Sequence, residues 1–283
     1  MEMITSASQM QSTCKQLTRS GKTIGFVPTM GYLHEGHLAL MTKARKENDI
    51  VVISVFVNPL QFGPHEDLDQ YPRDVEQDME LAKQVGVDYF FYPTVDEMYP
   101  KALTTKLTAI TRVNALCGKK REGHFDGVVI VLMKLFNIVF PDRVYMGLKD
   151  AQQVAVVQGL VDDYQLPTRI IPIATVREGD GLAKSSRNVY LTDEERKLAP
   201  ILYESLKKAE RLIHLGERSA DQVVACVKDE LIKTNAVIDY VDIYAYPTFE
   251  RIEKLAGQLV LAVAVKFSQA RLIDNVIIKV DEV

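Results

Sequence analysis

TIGFVPTMGYLHEGH, residues 23–37, holds the decision on the fold. Its first part, residues 23–28, is a short apolar run with strand character. The segment that follows, residues 37–48, sets Leu38, Met41 and Ala44 on one side and Lys43 and Lys46 on another, which is the helical period. A strand that passes into a helix through a short turn brings free helical N–H groups beside the carboxyl end of the strand, where parallel sheets bind anions and nucleotides. Gly31 and Gly36 take side chains out of this turn and permit close backbone approach to phosphates or a purine. His34 and His37 are three apart and share a face if both lie in the first turn. Two imidazoles beside a polyphosphate donate hydrogen bonds to oxygens whose charge grows as pyrophosphate leaves. The competing reading is a pair of histidines that only cap the turn. A zinc site fits poorly, because HEGH is one residue short of H-E-x-x-H and no other His or Cys cluster completes a coordination set.

Outward from this stretch, strand and helix patterns alternate. A first helix is expected with Ser8 as N-cap and Gly21 at its end. IVVISVFV, residues 50–57, is nearly all apolar and β-branched, as a parallel strand buried on both faces reads. A long turn-rich loop covers residues 58–74, a helix 75–85 and a strand 87–93. GVVIVLMKLFNIVF, residues 127–140, is interrupted by Lys134 and Asn137, falls short of a membrane span and reads as a core helix. Strand patterns at 142–147 and 168–175 flank a helix at 150–164. This order predicts an α/β fold, a doubly wound parallel sheet. After the polar stretch 176–188, read as a mobile loop, come two helical patterns (193–215 and 220–234) and a strand-rich end. The expected division is a first domain over 1–180 and a smaller α+β C-terminal domain over 181–283.

Composition narrows the function classes. The chain has 283 residues, 47% hydrophobic and 25% charged, close to the globular average. Its 34 Lys+Arg against 38 Asp+Glu give a net charge of −4, which makes no electrostatic case for nucleic acid or a membrane surface. Cys14, Cys117 and Cys226 are far apart and form no C-x-x-C pair, so a reducing cytoplasm is the natural setting. MEMITSASQMQSTCK does not read as a secretory leader.

Three further motifs carry chemistry. GLKDAQQ, residues 147–153, again ends a strand and opens a helix. Gly147 permits close approach, Lys149 offers a point charge to phosphate, Asp150 can cap the helix or accept from a ribose hydroxyl, and Gln152 or Gln153 can direct an amide into a cleft. AKSSRN, residues 183–188, sets Lys184, Ser185, Ser186 and Arg187 in a Gly-containing loop, with the cations and hydroxyls a polyphosphate requires. FVNPLQFGP, residues 56–64, places Asn58 and Gln61 at a strand end, where neutral amides suit a small hydroxylated substrate, although turn-forming Asn-Pro accounts for Asn58 in part. The charge run Lys119–Arg121 reads as a solvated loop and His124 as a local turn residue, and both stay outside the site.

PTMGYLHEGH, FVNPLQF, YMGLKDAQQ and SSRN in this order resemble the pantothenate synthetase (pantoate–β-alanine ligase) family, along most of the chain up to VDIYAYPT. The first motif and KSSRN also look like the HIGH and KMSKS elements of the wider nucleotidyltransferase superfamily, with Ser-Arg where Ser-Lys is usual. The resemblance implies a Rossmann-like nucleotidyltransferase fold with the C-terminal domain as a lid. It implies ATP binding by Met30, Gly31, Tyr32, Leu33, His34, Glu35, Gly36 and His37, by Gly147, Leu148, Lys149 and Asp150, by the backbone of Val176, and by Lys184, Ser185, Ser186 and Arg187. It implies pantoate contacts by Gln61 and Gln153 and a β-alanine contact by Gln61. His37 is implied as the acid at the leaving phosphates, assisted by His34, with Lys149 and Arg187 bearing charge. Mg²⁺ and a cytoplasmic homodimer are implied as well, with no identified metal ligands. The expected reaction joins pantoate to β-alanine through a pantoyl-adenylate. The alternatives are a nucleotidyltransferase that keeps the nucleotide on its product, a tRNA synthetase-like module and a nucleotide sensor.

Overall fold

The computed structural model describes residues 1–64 and 66–281. The chain forms two compact units. The first comprises Met1–Ile110, Arg121–Leu148 and Val156–Ala174, and the second Thr111–Lys120, Lys149–Ala155 and the chain from Thr175 onward. Three short segments of the expected 1–180 domain, 111–120, 149–155 and 175–180, thus group with the C-terminal part.

The first unit is built on β1 (Glu2–Ile4), β2 (Ile24–Thr29), β3 (Ile50–Val55), β4 (Tyr89–Phe91), β5 (Arg143–Gly147) and β6 (Arg169–Ile173). They form one sheet in the order β1-β4-β3-β2-β5-β6, and every adjacent pair is parallel. The doubly wound α/β sheet expected from the alternating pattern is therefore present. The connection order reverses beside β2, where β3 and β4 lie on one side and β5 and β6 on the other. The carboxyl ends of β2 and β5 are neighbours at this switch point, where open α/β sheets bind ligands. Residues alternate along the strands. Val51, Ile53 and Val55 of β3 meet Leu40, Met41 and Ala44 of α2 (Glu35–Glu47) and Ala82 of α3 (Val75–Gln84). On β2, Phe26 stands edge-on to Phe136 of α6 (His124–Val139) with centroids 6.5 Å apart. Apolar packing on both sides is why these strands read as unbroken apolar runs. Pro172 is tolerated because β6 is an edge strand.

Some boundaries differ from expectation. α1 (Ala7–Arg19) is capped by Ser6, whose Oγ accepts from the Gln9 N–H, so Ser8 lies inside the helix. The short β1 was not expected, because three residues carry too little periodicity to read. Pro200 divides the helix expected over 193–215 into α8 (Asp193–Leu198) and α9 (Ile201–His214). Proline has no N–H to continue the ladder.

In the second unit β7 (Val237–Ala245), β8 (Gly257–Lys266) and β9 (Arg271–Val280) form an antiparallel sheet in sequence order. Leu259, Leu261, Val263 and Val265 of β8 pack with Leu202 and Leu206 of α9 and with Val223 and Val227 of α10 (Ala220–Leu231). The alternate residues Val260, Ala262 and Ala264 pack with Ala115, Leu116, Ala151 and Ala155. The segments 111–120 and 149–155 thus cover the second face of this sheet, which explains why they group with it.

Candidate active site

β2 ends at Thr29, and the turn to α2 is held by the side chains of Thr29 itself and of Asp78 from α3. Thr29 Oγ1 donates to the Ser54 carbonyl at 2.8 Å and accepts from the Gly31 N–H at 3.2 Å. Gly31 has φ +88°, and a Cβ there would lie 2.8 Å from Val55 Cγ1 and 2.9 Å from Asp78 Oδ2. Only glycine fits both demands. Tyr32 also has positive φ, at 52°. The next two amides converge on one carboxylate. Asp78 accepts from Tyr32 N–H at 2.8 Å and Leu33 N–H at 2.6 Å, and is 2% exposed. Burial raises the Asp78 pKa above the ordinary carboxylate range, against the opposing pull of the two amides.

His34 is the N-cap of α2, and the capping is reciprocal. His34 Nδ1 accepts from the Gly36 N–H at 3.1 Å, and His37 Nδ1 accepts from the His34 N–H at 3.3 Å. The rings face each other with centroids 4.1 Å apart. The two histidines do cap the turn, and this capping has a chemical consequence. A neutral imidazole whose Nδ1 accepts carries its proton on Nε2. Both histidines therefore present Nε2–H as the donor at the helix start. Leu33 is buried in the core, so only its backbone can serve a ligand, while Glu35 is exposed in the first turn.

Gln61 lies in a short 3₁₀ turn, Pro59–Gln61, after β3. Its side chain is oriented by Asn58, whose Nδ2 donates to Gln61 Oε1 at 3.2 Å and to the Gly127 carbonyl at 3.1 Å. Asn58 Oδ1 accepts from Leu60 N–H and from the Tyr99 hydroxyl at 2.9 Å. Burial pushes the Tyr99 phenol well up, which keeps it a donor. Asn58 is 1% exposed with its amide fully committed, so it caps this turn, orients Gln61 and has no capacity left for substrate. Gln61 Nε2 points to Met30 Sδ at 3.0 Å. Behind Gln61 lie Arg121, His124 and Glu66. Arg121 grips Glu66 through Nε at 2.6 Å and Nη2 at 2.5 Å, and His124 Nδ1 lies 2.8 Å from the Gln61 carbonyl. Burial pulls the Glu66 pKa up, but hydrogen bonding and charge from Arg121, with the Gly63 N–H, outweigh it and hold the carboxyl below its ordinary range. This cluster is part of the wall around Gln61, not the free solvated loop expected from its charge.

At the end of β5, Gly147 is half-buried and a Cβ added to it would meet open space; Leu148 follows, half-buried. In the second unit, the Lys149 carbonyl accepts from Asn275 Nδ2 at 2.8 Å. Asp150 is exposed. Gln152 is spent on structure, donating to the Arg112 and Ala115 carbonyls at 2.9 and 2.8 Å. Gln153 is half-buried.

The segment expected to be a mobile loop is a tight hairpin. Lys184 N–H donates to the Val176 carbonyl and Glu178 N–H to the Leu182 carbonyl, at 2.9 and 2.8 Å. This leaves Val176 its N–H to offer. Arg177 anchors the hairpin through a two-point pair to buried Asp274 at 2.7 and 3.0 Å, and lies 3.5 Å over the Tyr203 ring. Ser185 caps the 3₁₀ turn Ser186–Tyr190 by accepting from Arg187 N–H. Lys149, Ser185 and Asn188 line one small cleft, which brings the second and third sequence motifs together. Lys184 and Arg187 are half-buried beside it in the chain, and Ser186 is buried.

Asp78, Tyr99, Glu66, Arg177, Asp274 and Asn275 were missed, and Arg121 and His124 were placed outside the site. One signal was present: Asp78 lies on the buried face of α3 with Ala82, and an acid on an apolar helix face needs donors. The others act over long sequence separations.

A parallel sheet with a histidine-capped helix start at its switch point defines a nucleotide-binding α/β enzyme of the nucleotidyltransferase type. A family model described as Pantoate-beta-alanine ligase matches residues 2–277, and the chain belongs to that family. It is 57% identical over 281 residues to a pantothenate synthetase of Bacillus cytotoxicus, covering 99% of this chain and 100% of that one. A crystal structure of pantothenate synthetase from Thermus thermophilus superposes with a TM-score of 0.92 at 42% identity, covering 98% and 99% of the two chains. A pantoate–β-alanine ligase from Francisella tularensis, complexed with β,γ-ATP and β-alanine, superposes with a TM-score of 0.81 at 34% identity over 98% and 97%.

Proposed function

We propose that this enzyme condenses (R)-pantoate with β-alanine at the expense of ATP, through a pantoyl-adenylate, releasing AMP and pyrophosphate. The observation that carries the reading, beside the full-length family match, is the reciprocal cap of His34 and His37. It commits both Nδ1 atoms as acceptors, which puts the proton of each neutral ring on Nε2, at a helix start beside the sheet's switch point.

A carboxylate is a poor acyl donor and must first be activated. Its oxygen attacks the α-phosphorus in line, and pyrophosphate departs. The protein's task is positioning and charge stabilisation. Met30–His37 receive the nucleotide, with backbone N–H groups at the α2 start for phosphate and His37 Nε2–H, assisted by His34, for the departing oxygens. Gly147, Leu148, Asp150 and the Val176 N–H hold nucleoside. Lys149, Lys184 and Arg187 supply positive charge, and Ser185 and Ser186 supply hydroxyls. Gln61 Nε2 exchanges a weak thioether acceptor for an oxygen of pantoate, and Gln153 supplies the second amide. The β-alanine amine then attacks the acyl carbon beside Gln61, and AMP leaves.

Among the described residues no group of three or more His, Cys, Asp or Glu side chains is placed to hold a metal. Mg²⁺ would arrive with ATP, bound mainly by phosphates and water. No step here is routed through it. The reading includes a cytoplasmic homodimer. Three free cysteines support the compartment, no helix among the described residues is long and apolar enough to cross a membrane, and the dimer rests on the resemblance.

Product stoichiometry tests this reading. The ligase releases one AMP per amide formed. A transferase that keeps the nucleotide on its product releases almost none, and that result would reject the proposal.

A further inference from the structure

Gln61 is held from two sides, and the side behind it uses residues that no motif contains. The His124 ring links Arg121 to the Gln61 backbone. Its Nδ1 lies 2.8 Å from the Gln61 carbonyl oxygen, which can only accept, so Nδ1 carries the proton. Its Nε2 lies 3.0 Å from Arg121 Nη1, which can only donate, so Nε2 accepts. The tautomer is thus set opposite to that of His34 and His37. Arg121 Nη2 adds a second bond to the same carbonyl at 3.3 Å, and the guanidinium is locked by both oxygens of Glu66. Glu66 in turn accepts from the Gly63 N–H at 3.2 Å. The helix bearing His124 is pressed against this turn. A Cβ on Gly127 would lie 2.2 Å from the Leu60 carbonyl oxygen and 2.6 Å from Gln61 N.

We propose that His124, with Arg121 and Glu66, is a positioning relay that sets Gln61 for the hydroxy acid and so governs affinity for that substrate and not for nucleotide. The inference rests on the reading of Gln61 as a substrate contact. Arg121 donates to both Glu66 oxygens and to His124 Nε2, and His124 Nδ1–H and Arg121 Nη2 both donate to the Gln61 carbonyl. Asn58 orients the Gln61 amide, and the relay fixes the backbone that carries it. None of the three relay residues needs to touch substrate.

Asparagine and glutamine separate this role from others. Asn Nδ2 and His Nδ1 are both two bonds beyond Cβ, so His124→Asn keeps the donor to Gln61. Gln Nε2 corresponds to the other ring nitrogen, so His124→Gln loses that donor. Steady-state kinetics of full-length variants, each with a thermal melt, make the test. His124→Ala and His124→Gln should raise the pantoate KM about 5–10-fold, the effect of one hydrogen bond, with the ATP KM unchanged. His124→Asn should restore the pantoate KM. In the Gln61→Ala background, His124→Ala should add nothing, because residues acting through one another are not additive. If His124→Asn is as impaired as His124→Gln, if the double variant shows additive losses, or if the ATP KM rises in step, the relay is overturned. If Gln61→Ala alone leaves the pantoate KM unchanged, the reading of Gln61 fails and takes the relay with it. If Gln61→Ala raises it and His124→Ala does not, only the relay fails. Should His124→Ala not fold, the Asn and Gln variants decide.

Discussion

Replacing Asp78 tests how the nucleotide turn is held. Asp78→Ala removes the acceptor of the Tyr32 and Leu33 N–H groups at a position 2% exposed. Each buried donor left without a partner costs about 1–3 kcal/mol, so the pair costs about 2–6 kcal/mol. Part of this is offset, since an ionised carboxylate is no longer buried. The raised Asp78 pKa gives the sign of that offset. We expect a net loss of about 2–4 kcal/mol at pH 7, a fall in Tm of roughly 5–15 °C. Asp78→Asn keeps one oxygen acceptor and turns its NH₂ toward the other amide, so its loss should be smaller. In both variants the ATP KM should rise, because Gly31–Leu33 lead directly into His34. The linkage has a definite sign. A folded pKa above the unfolded value means stability present at low pH and lost as pH rises through the folded pKa. The stability gap between wild type and Asp78→Asn should therefore widen as pH is lowered from 7 through that pKa. Thermal melts across pH and ATP kinetics make the assay. A gap that narrows on acidification, or an Asp78→Ala enzyme with unchanged Tm and ATP KM, refutes the reasoning.

His37→Ala should lower the adenylation rate about 10²–10³-fold, the scale for one transition-state donor, while His37→Gln, which retains a donor near Nε2, should lose less; single-turnover adenylation measures both. Gln153→Ala should raise the pantoate KM about tenfold and leave the ATP KM alone, and an unchanged pantoate KM counts against its role. Glu66 is held below its unfolded pKa by Arg121, so its contribution is present above about pH 4.3 and lost as pH falls through the folded value. Glu66→Gln should therefore be less stable than wild type at pH 7, with the deficit closing in acid. A deficit independent of pH contradicts the pairing.

The parts of the fold legible in the sequence were those whose pattern is local. Strands buried on both faces showed as apolar runs, and the first turn of α2 showed as glycines and histidines at a strand end. Pro200 was visible yet under-weighted against strong flanking helical periodicity. The supports of the site were not legible. Arg121 meets Glu66 across 55 positions and Asn275 meets Lys149 across 126, so no local spacing marks either pair. A charge run such as Lys119–Arg121 looks the same whether it is solvated or locked to a carboxylate. Gln152 and Gln153 stand side by side with the same chemistry, and only the carbonyls of Arg112 and Ala115 distinguish the structural amide from the other.

The central claim is that this enzyme activates a carboxylic acid on ATP before any amine is present. Rapid mixing with ATP and pantoate, without β-alanine, tests it most directly. A burst of pyrophosphate approaching one equivalent per active site is expected, with pantoyl-adenylate retained on the protein and the burst strongly slowed in His37→Ala. No pyrophosphate until β-alanine is added would contradict it.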